Sequence, residues 1–169
     1  MLVLGIDPGT LKLGWGLIAR RGQRLEHVAH GVIVLDSRSA LPERLRVIEQ
    51  RLLELLSLHS PEAASVESLF FHKDPQAAAK LGHARGVVLL ALARAEVPIF
   101  EYAPALVKRT IAGKGQAAKE QVAQVVRALL GLREVPPPDA ADALAIAMTH
   151  ARKAALVAAL SRVHRLRCG

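Results

Sequence analysis

The chain predicts a mixed α/β fold, a five-stranded sheet covered by helices on both faces. Three observations predict it. Short apolar runs bounded by turn residues alternate with stretches of helical spacing. The first three strands follow one another with no helix between them. From residue 41 onward, helix, strand, helix and strand come in turn, and strand–helix–strand units pair in parallel through right-handed crossovers.

Val3–Asp7 is a short run, apolar as a central strand should be, and it ends in the turn signal Asp7-Pro8-Gly9-Thr10. Gly14–Arg20 and Arg24–Leu35 are the second and third strands. Arg21-Gly22-Gln23 links them tightly, so they form an antiparallel hairpin. Leu41, Leu45, Ile48, Leu52 and Leu55 recur at helical spacing over roughly residues 41–58. Ala64–Ser68 is the fourth strand. Asp74–Ala95 is a long Ala-rich helix with Asp74 as its cap and Pro75 at its first position. Pro98–Tyr102 is the fifth strand, and helices follow near residues 104–111, 117–130 and 139–153.

The 169 residues suit one domain, and with 51% of them apolar the chain buries a core rather than staying disordered. No apolar run approaches the roughly 20 residues of a membrane span, and the first residues are too short and uncharged for a signal peptide. The single cysteine, Cys168, excludes an internal disulfide and points to the cytoplasm. The net charge of +8 is unevenly spread. Residues 1–107 carry 12 Lys/Arg against 11 Asp/Glu, and residues 108–169 carry 11 against 4. A one-sided basic surface is the footprint of a polyanion binder, although a solvated basic tail gives the same count.

Four acids stand out. Asp7 closes the first strand, and Glu67 lies inside an apolar strand, where an unpaired charge is costly. Asp139 follows three prolines. Asp142 lies three residues further on and shares a helix face with it. Singly, each has a plain structural reading as turn, core ion pair, cap or dipole partner. Sites in sheets of this kind form at the carboxyl ends of central strands, where Asp7 and Glu67 fall. If all four converge, two like charges ~4 Å apart cost about 4 kcal/mol at an effective dielectric near 20. Such a cluster needs protons or a cation. Hard oxygen donors without Cys or His suit Mg²⁺ or Mn²⁺, and two such ions clamp the attacking and leaving oxygens of a phosphodiester.

Five motifs, in this order over residues 2–153, carry a resemblance. They are Gly5-Ile6-Asp7-Pro8-Gly9-Thr10, Val66-Glu67-Ser68-Leu69-Phe70, Lys80-Leu81-Gly82-His83-Ala84-Arg85-Gly86, Phe100-Glu101-Tyr102-Ala103-Pro104 and Asp139-Ala140-Ala141-Asp142-Ala143-Leu144-Ala145. The sequence resembles the RuvC family of bacterial Holliday-junction resolvases, within the RNase H-like nucleases. The resemblance implies an RNase H-like sheet of order 3-2-1-4-5 with the second strand antiparallel, which sets Asp7 beside Glu67. It implies that Asp7, Glu67, Asp139 and Asp142 bind divalent metal, Mg²⁺ with Mn²⁺ as substitute. It implies a homodimer that nicks opposite strands of a four-way DNA junction symmetrically, leaving 5′-phosphate and 3′-hydroxyl ends, with RuvA and RuvB as partners. Some family members carry His in place of the first acid of the last motif, whereas this chain has Asp139.

Lys108 and Lys119 match the family's functional lysines and sit in the basic segment; as solvated helix lysines they would have no such role. Phe70 matches the family's stacking aromatic, while Phe71, Trp15 and Tyr102 read as structural. The histidines, His83 and His150 included, show no metal-ligand spacing. The domain is expected to span 1–153, with 154–169 as a basic tail matching nothing in the resemblance. Two other readings compete with a junction resolvase. One is an RNase H-fold nuclease of the YqgF kind acting on RNA, and the other is a structure-specific DNA-binding protein with a dead site. An actin-like phosphotransferase needs a duplicated domain, for which 169 residues are too few.

Overall fold

A computed structural model of the protein describes residues 1–68 and 74–167, with side chains described through residue 154. Phe70 and Phe71 lie outside the described residues. The elements, in order, are β1 (Leu2–Asp7), β2 (Lys12–Arg21), β3 (Arg24–Val34), α1 (Leu41–His59), β4 (Ala63–Glu67), α2 (Pro75–Arg94), β5 (Ile99–Tyr102), α3 (Pro104–Ala112), α4 (Lys119–Leu130) and α5 (Pro138–Arg167). The sheet runs β3-β2-β1-β4-β5. β1 pairs antiparallel with β2 and parallel with β4, and β5 continues the parallel side. This is the RNase H-like sheet that the resemblance implies.

Local chemistry explains the boundaries. Gly22, at φ 61°, supplies the left-handed residue of the β2–β3 turn. An Asp74 side-chain oxygen accepts from the Gln76 amide at 2.9 Å and Pro75 opens α2, as its sequence predicts. Left-handed Gly113 and Gly131 end α3 and α4. The last helix does not stop near residue 153 but continues to Arg167. Its sequence holds neither proline nor glycine from Asp139 to Cys168, so nothing in it breaks the helix.

The pleat divides the core in two. Leu4, Ile6, Val66 and Leu17 face α1 and α2, where Ile48, Leu52, Val88 and Leu92 meet them. Val3 and Ile18 face the other layer, against Val107 of α3, Val122 of α4 and Leu144, Ile146 and Met148 of α5. α5 is seated directly on the strands. A Cβ added to Gly5 would lie 2.0 Å from the Ala143 carbonyl oxygen, and one added to Gly14 would lie 1.9 Å from that of Asp139. Only glycine permits that approach.

Candidate active site

Side chains alternate along a strand, so Val3, Gly5 and Asp7 share one face of β1. Gly5 is the residue against α5, so Asp7 faces the same helix. β4 runs parallel with Gly5 beside Ser65 and Ile6 beside Val66. Carrying that register one step further sets Glu67 next to Asp7, and the pleat turns it to the same face. On the other side Asp7 pairs with Gly14, whose bare Cα receives the first turn of α5. That turn carries Asp139, and Asp142 follows one turn later.

The electrostatics follow from this proximity. Asp7 is half-buried, and its carboxyl is pushed up to about 8. Burial is the largest cause; repulsion from Glu67, Asp142 and, least, Asp139 adds to it, and Lys119 opposes it. Glu67 is raised as well, by burial and then by Asp142, against the pull of Lys119 and Lys108. Lys119 opens α4, where the helix dipole disfavours a cation. Its Nζ lies 2.7 Å from Asp142 Oδ2, which raises the ammonium's pKa.

A cavity of about 310 Å³ opens beside these groups. Glu67, Asp142, Lys108, Lys119, Arg85 and Pro8 are among its walls, whereas Asp7 and Asp139 are not. Among the described residues, no three Asp, Glu, His or Cys side chains form a ready-made metal cage. The donor set still fits a hard divalent cation. It is all carboxylate, and Asp7 and Glu67 resist ionising without a counter-charge. Asp142 has its counter-charge in Lys119.

Two contributors were not singled out as site residues from sequence. Gly14 matters only through the helix laid on it, which no local pattern reveals. Arg85 lies in the motif from Lys80 to Gly86 and reaches the end of β4, its Nε donating to the Glu67 carbonyl at 3.3 Å. His150 is buried, its Nδ1 2.9 Å from the Tyr102 hydroxyl, and His83 is exposed.

Comparison with known proteins gives consistent results. The family model described as crossover junction endodeoxyribonuclease RuvC matches residues 3–150. The crossover junction endodeoxyribonuclease RuvC of Sorangium cellulosum is 63% identical over 161 residues, 95% of this chain and 90% of the relative. The structure of Thermus thermophilus RuvC in complex with Holliday junction substrate matches with a TM-score of 0.87 at 44% identity, covering 92% of this chain and 96% of that one. The yeast mitochondrial Holliday junction resolvase Ydc2, at 14% identity and a TM-score of 0.69 over 97% of this chain and 85% of that one, shares the fold.

Proposed function

The chain belongs to the RuvC family of crossover junction endodeoxyribonucleases, and from that premise we propose how its residues divide the work. It is a structure-specific endonuclease that resolves Holliday junctions in DNA recombination and repair. Asp7, Glu67, Asp139 and Asp142 are the catalytic carboxylates and hold the divalent metal on which this class of nuclease depends, Mg²⁺ with Mn²⁺ as substitute. The observation that supports this reading is that Asp7 and Glu67 each follow the last pair of β1 and β4, Ile6 beside Val66, opposite the first turn of α5, with both carboxyls held above their usual range.

A bound divalent ion supplies charge neutralisation at the scissile phosphate and lowers the pKa of attacking water. The chain's own groups do the rest. Glu67 and Asp142 line the cavity and orient the attacking water in line with the bond to be broken. The water oxygen bonds to phosphorus as its proton passes to a carboxylate of the site, the bond from phosphorus to the 3′ oxygen breaks, and that oxygen takes up a proton from solvent and leaves as a hydroxyl. A 5′-phosphate remains on the other strand end. Lys108 and Lys119, in the same wall, offset the charge that develops on the phosphate oxygens. Phe70 stacks on a base where the junction opens.

A homodimer makes the two nicks symmetrically, and RuvA and RuvB supply the junction. The domain spans 1–153 and the segment 154–169 adds basic charge. The enzyme works in the cytoplasm; among the described residues no helix is long and apolar enough to cross a membrane.

The test is incubation with a synthetic four-way junction, a linear duplex and an RNA–DNA hybrid, in Mg²⁺ or Mn²⁺. Paired symmetric nicks in the junction alone are expected. Asp7→Asn should abolish them while leaving junction binding largely intact, and full cutting by that variant would sink the assignment. Sedimentation should give about twice the 18.1 kDa chain mass; a clean monomer would contradict paired nicking.

A further inference from the structure

We propose that Arg85 is a positioning residue for cleavage. It fixes the end of β4, and so the direction of the Glu67 carboxylate, while Glu101 holds its guanidinium in place. The proposal rests on the reading of Glu67 as a catalytic carboxylate and goes beyond it.

Arg85 projects from α2 to the rim of the sheet. Its side chain is only 13% exposed, and a guanidinium so enclosed needs partners. It has two. Its Nε donates to the Glu67 main-chain carbonyl at 3.3 Å, and its Nη2 pairs with the Glu101 carboxylate. Glu101 lies on β5 opposite Val66, the residue before Glu67. One planar side chain thus ties α2, β4 and β5 together at the last residue of β4.

That residue needs a tie. β4 ends at Glu67, and the Ser68 amide donates to the Tyr102 carbonyl at 3.0 Å, the last link to β5 among the described residues. Arg85 grips the neighbouring carbonyl. A change in the peptide plane at Glu67 would swing its side chain in the cavity, and a misplacement of about 1 Å costs on the order of 10²-fold in rate.

Arg85 also lines the cavity with Lys108 and Lys119, so contact with a DNA phosphate is the competing role. The geometry favours positioning. The charge of Arg85 is neutralised by Glu101, and two edges of its fork are already committed. Lysine restores a point charge for a phosphate but not a fork that spans a carbonyl and a carboxylate.

The test compares Arg85→Lys, Arg85→Gln, Glu101→Gln and the double variant Arg85→Gln/Glu101→Gln on the four-way junction. Both Arg85 variants should lose on the order of 10- to 100-fold in kcat, with KM, junction affinity and its salt slope unchanged within about twofold. Calorimetric titration with Mn²⁺ alone should show weaker binding in both. Glu101→Gln should lose less, and the double variant should be no slower than Arg85→Gln, as members of one unit behave.

Wild-type kcat in Arg85→Lys, or weaker junction binding with a shallower salt slope in Arg85→Gln, would make Arg85 a phosphate contact and overturn the proposal. A lowered melting temperature with kcat and Mn²⁺ binding unchanged would overturn it too. If the Arg85 variants do not fold, Glu101→Gln decides by the same kcat and Mn²⁺ readouts, since Glu101 is half exposed. Glu67→Gln is run alongside. Full activity in that variant would remove the catalytic reading itself, an outcome separate from failure of the Arg85 variants alone.

Discussion

Asp7 is held where its own ionisation is opposed. A carboxyl normally titrates near pH 4, and here burial and three neighbouring acids push it up to about 8. Between those values the folded chain keeps a proton that the unfolded chain has already lost. Stability contributed by this group therefore falls as pH rises from about 4 toward 8, and the full penalty is present above that. At about 1.4 kcal/mol for each tenfold change in ionisation, the penalty reaches several kcal/mol. Asp7→Asn should be more stable than the parent in metal-free buffer, by a margin that widens across this window. Urea unfolding at a series of pH values checks it, and a constant margin would show that Asp7 is not strained. The four acids were legible in the sequence as unusual residues, and the cost of crowding them followed only if they converged, which depends on which strand lies beside which.

Among the elements, α5 decides the shape of the site. It carries Asp139 and Asp142, and its first turn rests on the bare Cα of Gly14. Gly14→Ala places a methyl where the Asp139 carbonyl stands, so the helix must lift. The expected cost is about 1–3 kcal/mol of stability and a loss of cleavage on the order of 10²-fold, with junction binding preserved. Chemical denaturation and single-turnover cleavage read these two effects, and wild-type turnover would show that the helix seat does not set the carboxylates. Most of the elements themselves could be read from the chain. The apolar residues Leu41, Leu45 and Ile48, the Asp74-Pro75 start and the turn at Gly22 are local signals, and each element formed where they stand. The extent of α5 was misjudged, because the basic residues after Ala154 read as a tail although no proline or glycine interrupts the helix there. The seat at Gly14 was silent, and Arg85 stood in a motif without a role, since each acts on a residue far from it in the chain. The adjacency of Asp7 and Glu67 came from the family resemblance, not from spacing.

At the scale of the whole molecule, the basic excess is unevenly spread along the chain. Asp7 and Glu67 come from the nearly neutral residues 1–107, while Asp139 and Asp142 lie in residues 108–169, which hold most of the basic excess. DNA binding by that segment should release counterions, so junction affinity should fall steeply between about 50 mM and 200 mM salt. Fluorescence anisotropy with a labelled junction measures it, and a flat response would place the binding surface elsewhere. The seat of α5 has a mechanical consequence as well. Where side chains separate a helix from a sheet, rotamer changes and small voids let the gap breathe. Where main chain meets main chain, the gap is set by bond lengths and atomic radii. Hydrostatic pressure should therefore squeeze the side-chain-filled layer under α1 and α2 before it narrows the spacing between Gly14 and Asp139, leaving the corner where α5 meets β2 less compressible than that layer.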